Sequence, residues 1–347
     1  MTVNSNELQP LERWLQNKAN QRVLFPQKDG QDYFDRYWAL KKYLEQNYFK
    51  LIGSSLSASE GVVFTSHGPD HFEKVIEFAG YLIGLSDSDE RDELPLRPYE
   101  VYLLLCAILM HDAGNLYGRS GHEKLAFKIL ADATPNADRF ELKTIAQIAE
   151  AHGGHTNKGD KDTIGEIASD ETAYLSKSFR PKLLAALVRF ADEICEDRTR
   201  AAKILLEGDA LGESSAFHKY ADSIQSVSVD IADRSVVISF CFSKDDALVQ
   251  YRKSGADVFL LDEIIARLGK MNAERIYCNR YYGEVVTIRR IRATIDVVDD
   301  NMDVVLRLSV LIHDVGYPTN LPAVEASSDN ENFTGATLAH RLSDVGA

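Results

Sequence analysis

Ten consecutive apolar residues, "VYLLLCAILM" from Val101 to Met110, run into His111-Asp112 and stop before Gly114. A helix this apolar on every side has no face to give to water, so it reads as the core of a helical bundle. The run falls far short of the roughly 20 residues that a membrane span requires. Gly114 suits a helix stop. A near copy of the stretch, "VLIHDVGY", returns at Val310–Tyr317.

Helical spacing extends on both sides of this run. It covers "DYFDRYWALKKYLEQNYF" from Asp32, and it resumes after the Gly/Ser-rich "GSSLSASEG" in "GPDHFEKVIEFAGYLIGL", where Pro69 suits a first helical position and His71 opens the helix. Three further helices follow an acidic loop: "GHEKLAFKILADA", "RFELKTIAQIAEAHGG" and "RPKLLAALVRFADEICEDRTRAAKILLEG". No sheet is expected up to residue 207. Beyond it, "QSVSVDI" and "SVVISFCF" alternate with period 2 around a polar turn, "EVVTIRRIRATIDVV" supplies a third strand, and "DVFLLDEIIARLGKMNAERIYCNRYY" is a long amphipathic helix between them.

The fold class expected is mainly α, a helical core with a C-terminal α+β appendage made of a small antiparallel sheet and a long helix. The segments are a helical extension (1–60), the core (61–207), the appendage with a closing helix "LSVLIHDVGYP" (208–318), and a polar, loosely ordered tail (319–347).

The four cysteines lie far apart with no CxxC pair, which fits reduced thiols in a cytoplasm and leaves any metal to His and carboxylate. The N-terminus has neither the basic start nor the apolar stretch of a secretion signal. A net charge of −14 is a poor match to a polyanion. Long nucleic acid is therefore a disfavoured partner.

Six of the nine histidines crowd into the helical region: His67, His71, His111, His122, His152 and His155. His71 and His122 fall at expected helix starts, His111-Asp112 and His152 at helix ends, and Asp192 in the apolar helix "LLAALVRFADEI". Five helices can bring these positions into one pocket. Imidazole and carboxylate together suit divalent Mn, Fe, Ni or Zn, with Mg also possible, and one carboxylate has two oxygens with which to bridge two ions. Two such ions activate water and clamp a phosphoryl group for in-line displacement.

The order His71, His111-Asp112, His122, His152 and Asp192 within "RFADE" resembles the H…HD…H…H…D signature of the HD-domain metal-dependent phosphohydrolases. The likeness covers roughly residues 65 to 200 and extends to the local words "HFEKV", "LMHDAGN", "GHEKLA", "IAEAHGGHT" and "RFADEICEDR". The tail with "AERIYCNRYYG" is also similar to HD-type domains found beside ATPase modules in bacterial conflict systems. The resemblance implies an all-helical HD core. It places His71, His111, Asp112 and Asp192 on one ion, and Asp112, His122, His152 and His155 on a second, with Asp112, His122 and Arg198 in catalytic roles. His67 is either a support for a ligand or a loop residue.

Three positions depart from the family pattern: Asn115 where many members carry Lys, Cys195 where others carry a second Asp, and His152-Gly-Gly-His155 where others pair adjacent histidines. One ion or two therefore both remain open. Cys195 reads as a small helix residue. Arg119, Lys158, Lys161 and Arg198 lie near the ligand loops and are candidates for holding phosphate oxygens.

The function these features imply is hydrolysis of a nucleotide or small signalling nucleotide, with a small nucleotide substrate and a protein partner or second copy contacting the appendage. The alternatives are a nucleotide-binding regulatory module and a metal-dependent nuclease. His313-Asp314 has no surrounding ligand set and reads as a decoy.

Overall fold

The apolar run is the middle of a helix, Pro98–Met110, in which every residue from Tyr99 onward is buried. The computed structural model describes residues 7–27, 30, 32–49, 69–86, 91–117, 121–198, 212–314, 324–329 and 331–344. The described residues fall into two units: one holds those up to Cys195 together with 277–287, the other holds 196–276 and 288 onward.

In the first unit the helices are α1 (Pro10–Ala19), α2 (Tyr33–Leu44), α3 (Pro69–Leu82), α4 (Pro98–Met110), α5 (Ala126–Ala133), α6 (Arg139–Glu150) and α7 (Pro181–Ile194). Four of them open on proline, which is pre-set for the helix and lacks an N–H that would go unpaired there. The Asp32 carboxylate caps α2 by accepting from the N–H groups of Phe34 and Asp35. Around α4 pack α1, α2, α3, α6 and α7. Each of its leucines and isoleucines gains about 1.5–3 kcal/mol by complete burial.

Glu100, fully buried in the first turn of α4, ties that helix to α7. Its carboxylate accepts from the backbone N–H of Arg97 at 2.8 Å, from that of Arg180 at 2.9 Å, and from the Arg180 guanidinium at 2.8 and 2.6 Å. The two helices thus start at one anchor. From Glu100 to His111 is eleven residues and from Arg180 to Asp192 is twelve, so each helix travels roughly 17 Å. Their far ends meet again, with His111 Nε2 3.6 Å from Asp192 Oδ1.

The second unit is built on a six-stranded sheet in the order β10-β9-β8-β7-β4-β3. Its strands are β3 (Ile224–Asp230), β4 (Ser235–Ser243), β7 (Arg290–Val298), β8 (Val304–His313), β9 (Ala326–Ser328) and β10 (Glu331–Phe333). One face carries aligned apolar rows: Val236, Ile291 and Ile312; Ile238, Ala293 and Val310; Phe240, Ile295 and Leu308. All nine are buried. α8 (Ser215–Ser223) precedes the sheet, and α11 (Gly335–Asp344) closes the described chain. β4 and β7 are parallel, so the chain must cross over between them; it does so through α9 (Lys244–Leu248), the hairpin β5 (Gln250–Lys253) and β6 (Ala256–Phe259), and α10 (Leu260–Asn279).

The mainly α class fits, but several elements differ from expectation. The sheet is mixed and six-stranded, where a small antiparallel one is expected. "LSVLIHDVGYP" is expected as a helix, yet Val304–His313 is strand β8, buried at Leu308, Val310 and Ile312. Two apolar residues on its outer side, Val305 and Leu311, are exposed and hide the period-2 pattern. The third strand begins at Arg290, six residues later than read. The long helix starts at Leu260 because Asp257–Phe259 pair in β6. Residues 326–344, read as a loose tail, hold β9, β10 and α11.

A hairpin of β1 (Thr172–Tyr174) and β2 (Lys177–Phe179) interrupts the helical unit, turning at Leu175 and Ser176 with φ of 44° and 64°. A turn with two positive φ values usually announces itself by Gly or Asn. Neither is present here.

Replacing Glu100 by Ala is expected to cost about 3 kcal/mol, because it leaves the Arg180 guanidinium and two helix starts without their shared acceptor. Urea unfolding measures this directly, and a loss below about 1 kcal/mol would show that the anchor is dispensable.

Candidate metal centre

Five helix ends meet in the first unit. His71 lies in the first turn of α3, His111 and Asp112 directly follow α4, His122 opens the 3₁₀ turn His122–Leu125 that leads into α5, His152 lies two residues past α6, and Asp192 is in the last turn of α7. Three of these, α4, α6 and α7, present C-terminal ends, whose partial negative charge favours a cation.

The chain can bring His122 this close only because residue 114 is glycine. A Cβ at Gly114 would collide with the His122 backbone carbonyl. Gly114 therefore does more than end a helix; it admits the next ligand.

The donor atoms sort into two groups around one carboxylate. Asp112 Oδ2 lies 3.8 Å from His71 Nε2 and 3.8 Å from His111 Nε2. Asp112 Oδ1 lies 3.0 Å from His122 Nε2 and 3.6 Å from His152 Nε2. Asp192 Oδ1 joins the first group, 3.2 Å from His71 Nε2, and the two imidazole nitrogens of that group are 3.3 Å apart. Donors sharing one ion at about 2.1 Å stand roughly 3 to 3.5 Å from one another. The spacing, the side-chain types and the burial all fit divalent ions held as His71, His111, Asp112 and Asp192 on one side and Asp112, His122 and His152 on the other.

Groups behind the donors set their orientation. His111 Nδ1–H donates to the Ile108 carbonyl and His152 Nδ1–H to the Ala149 carbonyl, each at 2.6 Å, which turns both Nε2 atoms toward the site. Phe72 packs edge-on to His111 and stacks on Phe49 at 3.9 Å, walling off water.

Burial alone would lower the His111 pKa, but the Asp112 charge and the Asp192 hydrogen bond overcome it and push the ring up to about 9. Burial likewise opposes the Asp192 charge, and hydrogen bonds from His111 and His71 hold that carboxyl well below its usual range. The site thus draws positive charge to itself.

Of the other site candidates, His155, Lys158 and Lys161 lie outside both donor groups. His155 is exposed and belongs to neither donor group; it lines a groove of about 230 Å³ with Lys124, Gln147 and Glu150. Lys158 and Lys161 are exposed on the loop after His152. Arg198 is exposed in the second unit, 3.5 Å from Asp222. Arg119 and His67 lie outside the described residues. His313 ends strand β8 of the second unit, and the adjacent Asp314 accepts from the buried Arg275 at 2.8 Å.

Three contributors were not evident from the sequence. Cys195 is buried with its Sγ 3.6 Å from His71 Nδ1, so the thiol sits behind a ligand ring. Its spacing of three residues beyond Asp192, on the same side of a helix, is the one available signal.

Asn115 is buried, and its Oδ1 has no partner among the described residues, an acceptor three residues from Asp112.

A clamp built from "YCNRYY" steadies the loop after His152. Tyr277 and Tyr281 donate to Asp162 at 3.0 and 2.9 Å, and Arg189 stacks on Tyr277 while donating to Thr163 Oγ1. Thr163 in turn donates to the carbonyl of Ala151, the residue before His152.

Asp112→Ala removes a donor from both groups and is expected to abolish stoichiometric metal while the fold persists, whereas His313→Ala should leave metal content unchanged. Elemental analysis beside circular dichroism decides: full occupancy in Asp112→Ala would refute the assignment. Gly114→Ala should lose the His122 side first, lowering metal per chain without emptying the site.

Among the described residues no helix is long and apolar enough to cross a membrane. No curated protein matches the sequence. The profile of HD-CE, a family of HD-type domains, matches residues 62–270. That span covers well over half of the 347 residues and contains every donor named above, and the chain therefore belongs to the HD-CE family.

Proposed function

We propose that this chain is a metal-dependent phosphohydrolase or phosphodiesterase acting on a nucleotide or small signalling nucleotide. The observation that carries the reading is the division of Asp112, with one oxygen toward His71 and His111 and the other toward His122 and His152. A carboxylate placed so that each oxygen serves a separate histidine pair suits two adjacent divalent ions. When bound, such ions lower the pKa of water toward neutrality and neutralise charge on phosphoryl oxygens.

The protein groups have distinct tasks in this scheme. His111 and His152, locked by their carbonyl partners, keep their Nε2 atoms directed at the site, where a bound ion would take the place of a proton. Asp192 balances charge on the His71 side. The buried Asn115 Oδ1 offers an acceptor to a water or a substrate hydroxyl. Lys124 and His155 line a groove formed by the same segments that carry His122 and His152, together with Glu150 and Glu166.

A chain at −14 opposes a polymer's many phosphates, while a compact nucleotide presents only the few that two ions can neutralise locally. Mono-, di- and cyclic nucleotides are therefore expected to be hydrolysed with Mn²⁺ or a similar ion, with only weak dependence on moderate salt. Assay against such a panel, with single-stranded DNA and RNA alongside, tests this. Efficient degradation of the polymers while the small nucleotides survive would replace the proposal with a nuclease.

A further inference from the structure

At the opposite ends of α4 and α6 from the metal donors lies a cavity of about 400 Å³ that contains none of those donors. Its volume is that of a small-molecule site. Leu40, Leu130, Leu142 and Ile145 give it apolar walls, and all four are buried.

Set into this apolar lining is an ion pair. Arg36 reaches both oxygens of Glu141, a carboxylate 1% exposed that also accepts from the Tyr99 hydroxyl at 3.0 Å. The Arg36 guanidinium lies 4.8 Å from the Tyr33 ring centre and 5.2 Å from that of Tyr102. Buried charge is costly, and an apolar pair would commonly hold such a core as well or better. Arg36 lines the cavity, held there by Glu141 and the two rings, which is the placement of a recognition group.

The chemistry of the lining selects the occupant. A guanidinium has five N–H donors, and two serve Glu141, so donors remain for a ligand acceptor. Glu141, 1% exposed and with about three of its four acceptor positions used, turns no free oxygen to the cavity and serves to hold Arg36 in place. The charged lining residues are Arg36, Glu141 and Asp138, one cation against two carboxylates, which disfavours an anion. Tyr33, Tyr102 and Tyr174 supply ring surfaces, with Tyr174 stacked on Phe140 at the mouth.

We propose that this cavity is a second small-molecule site, separate from the metal centre, for an uncharged flat heteroaromatic ring whose edge carries a carbonyl. Arg36 donates to the carbonyl, and Glu141 holds the guanidinium in place. A free nucleobase of the lactam kind, or an aromatic carboxamide, has this edge; a phosphorylated compound is repelled at this end. The occupant rests on the N-terminal portions of α4 and α6, the same helices that deliver His111 and His152 at their C-termini.

Saturation-transfer NMR on the full-length, metal-loaded protein tests the site with hypoxanthine and nicotinamide as probes, benzoate as the anionic control and toluene as the control without the edge. The two probes are expected to bind with dissociation constants of roughly 0.1–1 mM, in keeping with fragments of this size. Benzoate and toluene should bind at least tenfold more weakly. Glu141→Gln removes the charge and one of the two oxygens that hold the guanidinium and should weaken the probes about tenfold, but it also breaks a buried ion pair.

Ala39→Phe avoids that difficulty by keeping both charged groups: Ala39 is exposed at the cavity, one turn along α2 from Arg36, and a larger side chain there obstructs the space. It should abolish probe binding while metal content and the thermal midpoint stay at wild-type values. Absence of probe binding to the wild type, binding that survives Ala39→Phe, or equal binding of benzoate and toluene would each overturn the proposal.

Discussion

Glu100 is the constraint on which the rest of the helical unit depends. A carboxylate without solvent must collect hydrogen bonds, and the ones within reach belong to the starts of α4 and α7. Because a helix rises by a constant amount per residue, fixing two starts together also fixes which residues lie together eleven or twelve positions later. Those residues are His111 and Asp192. An acid at the dry end of the bundle thereby sets the geometry of the polar end, and the apolar surface of α4 between them keeps the two helices from slipping.

At the other end, buried imidazoles and carboxylates have been assembled at a spacing too wide for ordinary pairing in several cases and suited to donors around an ion. Such a cluster is unfavourable to build without compensation, since each donor loses water. The compensation is distributed: carbonyls at the ends of α4 and α6 hold two of the rings, the Cys195 thiol backs a third, and three helix C-termini add negative potential. The Tyr277 clamp extends this support to the loop after His152, which otherwise has only two glycines between its histidines.

Much of the site was legible in the chain because most donors fall at helix boundaries that the sequence marks; Asp192 is the exception, read inside a longer helix that in fact ends at Ile194. Pro69 announces the start that carries His71, and the end of the apolar run announces His111-Asp112. What could not be read was orientation. Nothing in the order of residues says that the two oxygens of Asp112 point to different histidine pairs, or that His155 turns outward while His152 turns in, since a loop of two glycines permits either. Cys195 looked like a small helix residue because its partner, the far ring nitrogen of His71, is 124 positions away in the chain.

The sequence by itself determined the mainly helical core and the existence of a strand-bearing C-terminal part, because these follow from local periodicity; the donors came from the likeness to the HD signature, which also counted His155, a residue in neither donor group. Tertiary structure alone decided that Val304–His313 is a strand, since its buried residues alternate only once β7 lies beside it and two exposed apolar side chains mask the pattern beforehand. It likewise decided the parallel pairing of β4 with β7 and the cavity around Arg36 and Glu141, residues 105 positions apart. Contacts between distant segments have no local signature: they arise from which helix faces are left to meet after the core has closed.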